Sequence, residues 1–444
     1  MHIRSWVGLL LCLQVAACGS DGGSGGASGG SGGTGGAGGT GGAGGTGGVG
    51  GTGGTGGAPA DFISRGGGTI LETESTIASD GNGTIVAAWI GAYSLQSATI
   101  GFNVSHDGGA SWLSTPRHVD PPAGYVSSNP ALTVDSAGHF WLAWITYNAQ
   151  FSDGHVRVAK LEQGDSFGTG TDVSGGGTSG SVDGPWIVSA ADGTLLVTWR
   201  TLDTGALQSA HSTDGGVTWS QATIGAADGS FPHPCVDRSP TSNGAFYEVH
   251  LVPASMSSVR VGRSLDHGAT WTVSPTAIVT DSAFQQPSCV VHGQDVWVTY
   301  AHSVSSTPPM PAAADSVRVV HSADGGATWG SAVAISVAAA GRRYLPQLVI
   351  GSNGELQAAW YEGDDQQPAT LVRAWSLDGT TWQSAVIAMP GTFTTARQSY
   401  DTLYDYFGLA EGSGRTLSAY TDNSQPCTGR TGNCSHIAFI GWPD

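Results

Sequence analysis

The octapeptide Ser322-Ala323-Asp324-Gly325-Gly326-Ala327-Thr328-Trp329 recurs as Ser105 to Trp112, Ser212 to Trp219 and Ser264 to Trp271, and one residue shorter as Ser376 to Trp382. Each copy reads Ser-x-Asp-(x)-Gly-x-Ser/Thr-Trp. The Asp carboxylate can accept hydrogen bonds from its own turn, and glycine permits the positive φ that a tight hairpin needs. The closing Trp is a large apolar anchor for the turn. Such a repeat demands a fold built from copies of one antiparallel unit.

Two further signals recur between the turns. A polar residue near a proline opens a short apolar strand at Asn129-Pro130, Asp183-Gly184-Pro185, His233-Pro234, Gln286-Pro287 and Tyr344-Leu345-Pro346. A glycine turn then precedes a strand ending in aromatics, as in Phe140 to Trp144, Leu195 to Trp199 and Leu356 to Tyr361. Third strands share a register at Val156-Arg157-Val158, Val259-Arg260-Val261, Val317-Arg318-Val319 and Val372-Arg373-Ala374. Period-2 alternation bounded by Gly and Asn marks antiparallel strands. The order is inner strand, second, third, Asp turn, outer strand, and a four-stranded unit repeating at roughly 40–58 residues is a propeller blade.

The expectation is therefore an all-β propeller of four-stranded antiparallel blades, seven in number with six as the alternative. Inner strands start near Glu74, Asn129, Asp183, His233, Gln286, Leu345 and Asp405. The second repeat has a degenerate turn with Gly164 and Phe167. The seventh has none and lacks an outer strand, which Asp61 to Arg65 could supply to close the ring.

The Asp motif resembles the Asp-box (BNR) repeat of the sialidase superfamily. That resemblance implies a structural role for Asp107, Asp214, Asp266, Asp324 and Asp378, away from the functional face. It also implies six blades for an enzyme, an arginine triad for the substrate carboxylate, a Tyr nucleophile paired with a Glu, and an Asp acid/base. The chemistry needs these types: guanidinium grips carboxylate in two parallel hydrogen bonds, and a carboxyl group transfers the proton. The densest polar-aromatic run, Arg397 to Tyr406, and Arg342-Arg343-Tyr344 with Glu362 in the preceding repeat would put these types on adjacent loops, so Tyr404, Glu362, Asp401 and Asp405 are the catalytic candidates. Arg342, Arg343, Arg397, Arg200, Tyr344 and Tyr400 are the substrate-binding candidates. The chain departs from the family at the first inner strand, where Glu72-Thr73-Glu74-Ser75-Thr76-Ile77 stands in place of Phe-Arg-Ile-Pro. The repeated third-strand arginines, Arg157, Arg260, Arg318 and Arg373, read as structural or solvated. Glu74, Asn129, Asp183, His233, Gln286 and Asp405 open inner strands, so they ring the channel mouth, hydrating it or holding a sugar or Ca²⁺. No other cofactor is expected.

Ahead of the repeats, residues 1–18 read as an export address. Arg4 precedes an apolar run, Trp6 to Val15, that is too short to span a membrane. Val15-Ala16-Ala17-Cys18 resembles a bacterial lipobox, which implies lipidation of Cys18; Gly19 after it is not a retention signal, which implies the outer membrane, with surface exposure. Residues 19–58 are almost wholly Gly, Ser, Thr and Ala, part of a total of 71 glycines in 444 residues. They read as a flexible tether with a reach of roughly 35 Å. Residues 59–444 form the repeat domain.

Acidic residues number 34 against 16 Lys and Arg, a net charge of −18, and Lys160 is the sole lysine. No basic cluster offers a nucleic-acid face, so the membrane is reached through the lipid alone. In an oxidising compartment Cys427 and Cys434 read as a local disulfide, while Cys235 and Cys289 are either bridged or two buried thiols. The preferred function is carbohydrate recognition by a lipid-anchored, sialidase-like propeller, its partner a glycan or polysaccharide. An active exo-α-sialidase or related glycoside hydrolase is the alternative, and a protein-binding propeller the second.

Overall fold

The computed structural model describes residues 61–444 apart from 66–67, 70, 95–96, 151, 176–181, 226–228, 240–243, 253–257, 280–282, 303–315, 337–341, 364–367, 393–404, 413 and 425–433. The described residues form seven antiparallel sheets. Blade one comprises Leu71–Ser79, Ile85–Ser94, Ser97–Ser105 and Arg117–Val119. Blade two comprises Tyr125–Val134, Phe140–Asn148, Gly154–Glu162 and Thr171–Asp172, with Ser166–Phe167 as an extra strand. Blades three to six open with inner strands Val182–Ser189, Ser230–Val236, Ala283–His292 and Arg342–Ile350. Each inner strand packs on those of the neighbouring blades, and the first on the last, so the ring is closed. No helix long and apolar enough to cross a membrane occurs among the described residues.

The seventh blade joins both ends of the repeat region. Gly408–Glu411, Arg415–Asp422 and His436–Pro443 come from the end of the chain, and Asp61–Phe62 is the fourth strand. Asp61 faces Phe439 and Phe62 faces Ala438, and the Ile63 N–H donates to the Ile437 carbonyl at 2.9 Å. The missing outer strand is thus supplied as the sequence suggested. Beside it Glu72, 1% exposed, accepts from Ser64 and Thr69 and pairs with His436 Nδ1 at 3.0 Å. The buried carboxylate is fully engaged, which a buried charge requires.

Second strands supply the core. Trp89, Trp144 and Trp360 are the largest fully buried side chains, and Trp199 stands at the matching place in blade three. Each buries on the order of 2–3 kcal/mol of transfer free energy. Gly101 is required opposite Trp89, since a Cβ there would lie 2.4 Å from the indole nitrogen.

The Asp turns behave as one device. In the turn at 322–329, Ser322 Oγ donates to Asp324 Oδ1 at 2.8 Å and accepts from the Gly326 N–H at 2.8 Å. Thr328 donates its N–H at 2.8 Å and its hydroxyl at 2.6 Å to the two carboxylate oxygens. The same bonds recur around Asp107, Asp214 and Asp266, and the shorter turn keeps the backbone part around Asp378. These bonds, the side-chain one first, hold Asp107, Asp214, Asp266 and Asp324 at a pKa of about 2. Each turn also packs on the preceding blade: Gly216 on Trp141, Gly268 on Leu196, Gly326 on Tyr247, Gly379 on Trp297 and Gly109 on Phe439.

Cys235 and Cys289 are disulfide-bonded, joining the inner strands of blades four and five. Cys434 is disulfide-bonded too, while Cys427 and Cys18 lie outside the described residues.

Candidate functional site

Inner strands are the edge strands of their sheets, so they can carry proline and irregular backbone without breaking a ladder. Blades one to six use this freedom in the same way. Each inner strand shifts register once against its neighbour, around Glu74, Asn129, Gly184, Phe231, Gln285 and Leu345. Each of those residues has a positive φ, between 48° and 62°. Proline follows directly in blades two, three, four and six. In blade four the bulge proline is therefore Pro232, two residues before the His233-Pro234 expected from the sequence. A bulge of this kind re-aims the side chains around it.

These bulges lie at the end of the blades opposite the Asp turns. Third strands run into the Asp turns, while the start of each inner strand pairs with the end of each second strand, as Asp183 with Arg200. There the bulges of blades two to five and the entry to blade seven line a narrow, shallow cleft. Partly exposed Asp183, Trp186, Arg200, Phe231 and Asp405 form its walls; Asn129, Gln286 and Tyr406 are buried behind them.

The cleft is held in place from behind. The Tyr406 hydroxyl donates to the Pro130 carbonyl at 2.8 Å, and its ring meets Trp186 edge-on at 5.0 Å. Trp186 also packs on His233, with ring centroids 4.5 Å apart. Asn129 donates to Glu74 at 2.7 Å, with both side chains buried. Arg200 Nη1 donates to Ser230 at 2.8 Å; burial pulls the guanidinium below its ordinary pKa, and the neighbouring Asp183 opposes the shift. Burial raises the Tyr406 phenol well above its ordinary value, and Glu74, Asp405 and Asp183 push the same way. Tyr406, buried and hydrogen-bonded to the Pro130 carbonyl, is thus a fixed support behind the cleft. Burial drives the His233 imidazole down to about 3, so that ring is neutral as well.

The expected site residues divide into three groups. Arg200 and Asp405 are in the cleft, together with Asn129, Asp183 and Gln286 from the channel-mouth set. Arg343 and Glu362 are cross-strand partners in blade six, paired at 3.1 Å, with Arg343 only 1% exposed. Glu362 also accepts from Trp360 Nε1 at 3.0 Å, so this pair braces the blade. Tyr344, half-buried, packs against the cluster of Leu345, Tyr361 and Phe407. Arg342 begins the inner strand of blade six, but its side chain lies outside the description, as do Arg397, Tyr400, Asp401 and Tyr404. Among the described residues, Arg200 is the one guanidinium lining the cleft, and no group of three or more His, Cys, Asp or Glu is placed to hold a metal ion.

Trp186 and Phe231 were missed as cleft residues by the sequence reading. Both sit next to a bulge proline, and that adjacency is the signal that could have found them. A larger hollow lies where the closing strand meets the Asp turn of blade one, lined by Phe62, Asn103, Trp112 and neighbours. Arg65, Asn103, Ser111 and Ser114 are its polar lining, and it sits at the Asp-turn end of blade one, away from the bulges.

No protein-family model and no curated protein sequence matches this chain. Its fold is similar to that of a Hadza microbial sialidase, with a TM-score of 0.54 and 14% identity over 86% of this chain and 68% of that one. It is similar also to a protein of unknown function from Dyadobacter fermentans, with a TM-score of 0.52 and 15% identity over 86% and 97% of the two chains. The chain is a sialidase-like β-propeller with seven blades.

Proposed function

We propose that the axial cleft binds carbohydrate. The observation that carries this is the pairing of partly exposed Trp186 and Phe231 with Asp183, Arg200 and Asp405 in one cleft. Sugars offer an apolar C–H face beside a rim of hydroxyls, and aromatic rings flanked by charged and amide groups match both. The similarity of fold to a sialidase supports the same reading by analogy alone. Glycan-array binding by the wild-type chain, Trp186→Ala and Asp324→Ala tests it. Removing the Trp186 platform should weaken the best signal at least about tenfold. Asp324→Ala, altered on the opposite face, should keep its affinity. An array with no signal for the wild type, or an unchanged signal for Trp186→Ala, overturns the reading.

A hydrolytic role would fall to Tyr404, Asp401 and Arg397, which lie outside the described residues, and a fluorogenic sialoside assay on Tyr404→Phe reads it directly: a phenol nucleophile loses nearly all turnover. We propose further that Cys18 is lipidated and that residues 19–58 hold the propeller off the outer membrane. Cys18→Ser should then move the protein from the membrane fraction to the soluble one. Unchanged membrane retention sinks that idea.

A further inference from the structure

We propose that the hollow at the ring seam is a second binding site, which takes a carboxylate borne on a ring. Its volume of ≈ 350 Å³ falls within the range of small-molecule sites. The closing segment gives it Phe62 and Arg65, and the blade-one turn and the residues after it give it Trp112, Leu113 and Ser114. Arg65 is exposed, and its guanidinium carbon sits 4.2 Å from the centroid of the Phe62 ring. No described residue forms a hydrogen bond or ion pair with that guanidinium. Arg117, Arg200, Arg343 and Arg415, by contrast, give theirs to carbonyls, a hydroxyl or a carboxylate. A guanidinium stacked on an aromatic ring and left without a counter-ion can grip a carboxylate with two parallel bonds. The carboxylate in the neighbouring turn is already engaged: Asp107 accepts from Ser105 Oγ at 2.8 Å and from the N–H and hydroxyl of Ser111 at 2.7 and 2.6 Å.

The blade-one turn also breaks with its copies. Trp219, Trp271, Trp329 and Trp382 each donate Nε1 to the glycine carbonyl three residues back, at 3.1 or 3.2 Å. Trp112 Nε1 is buried without a partner, and its ring meets Phe439 with centroids 5.1 Å apart. An unmade bond of this kind costs stability, and a repeated rule broken in one copy points to a role beyond bracing. The two sides of the hollow are fixed to each other by Asn103, 1% exposed, whose Nδ2 donates to the Ile63 carbonyl at 2.8 Å and the Leu113 carbonyl at 3.2 Å. A ligand ring covers Trp112 and Leu113 while its carboxylate meets Arg65, so the ligand bridges the seam.

Isothermal titration of the purified full-length chain tests this with benzoate and benzamide, the methyl glycosides of glucuronic acid and glucose, and acetate. Benzoate, the glucuronide or both should bind at least about tenfold more tightly than the uncharged counterpart and than acetate, which lacks the ring. The tighter of the two acids says whether the ring is aromatic or a sugar. Raised salt should weaken its binding to the wild-type chain, because a charge interaction is screened. Arg65→Ala should weaken it at least about tenfold, and Arg65→Lys should restore little, because an ammonium lacks the planar fork. Arg65 is exposed, so both variants should keep the wild-type Tm, and the salt series stands whether or not they do. Trp186→Ala, altered in the axial cleft, should bind the acid as the wild type does. Binding that survives Arg65→Ala and is lost in Trp186→Ala places the ligand in the cleft and overturns the proposal. So does an absence of binding by both acids, or uncharged counterparts that bind as tightly as the acids.

Discussion

Asp324 and Tyr406 show how differently two buried-looking polar groups work. Asp324 is solvated, and its value lies in geometry: two oxygens collect the N–H and hydroxyl of Thr328 and the hydroxyl of Ser322. Asp324→Ala should lower Tm more than Asp324→Asn, because Asn keeps one acceptor oxygen for the Thr328 N–H; equal losses would show that charge and not geometry matters. The pH dependence follows from the depressed pKa. An unfolded Asp titrates near about 4, and four of these turn carboxylates titrate at about 2 in the fold. Their contribution is complete above about pH 4 and is lost as pH falls through about 2. Stability measured by urea titration should therefore fall between those values, and Asp324→Asn should show a shallower fall than wild type. Tyr406 is enclosed, so Tyr406→Phe leaves the Pro130 carbonyl unpaired and should cost about 1–3 kcal/mol in the same titration.

At the scale of strands, the recurring unit is an inner edge strand with one residue in left-handed conformation. Gly184 occupies that place in blade three, and a Cβ added there would meet only Pro232 Cδ, at 3.9 Å. Gly184→Ala therefore isolates the backbone cost, and urea denaturation should record a loss of about 1–2 kcal/mol. A neutral result would mean that the bulge relaxes at no expense. These bulges also explain what could be read in advance. The Asp turns, the strand order and the closing strand were legible, because Ser, Asp, Gly and Trp at fixed spacing and period-2 alternation are local signals. The register in blade four was not: Phe231-Pro232 and His233-Pro234 offer two candidate prolines, and only three-dimensional pairing decides that Pro232 follows the bulge. Arg343 is a substrate-binding candidate in the sequence. It is enclosed within blade six against Glu362, because its cross-strand neighbour is a carboxylate, a pairing invisible without the register.

For the whole molecule, stability depends on ring closure and on a staple. The bridge between Cys235 and Cys289 closes a loop with a sequence separation of 54. In the chain-entropy treatment such a loop contributes about 4 kcal/mol. Replacing both cysteines with serine should cost a comparable amount, and urea midpoints with and without reductant on the wild type should differ in the same direction. If reduction leaves the midpoint unchanged, ring closure by the other contacts is sufficient.

The strand Asp61–Phe62 is the shortest in the closing blade and also the first paired segment of the propeller. Tension on the preceding chain is thus delivered to the seam and not to an interior blade. The first bonds to carry load are those of Asp61 and Phe62 to the strand His436–Pro443, then the Ile63 amide, and behind them Ser64, Glu72 and His436, which knit blades one and seven. A propeller of this design has a defined point of mechanical yield. Pulled from its N-terminal side, it should open first as a split ring whose remaining blades still stand, and an optical-trap trace should show one short extension before the larger rips.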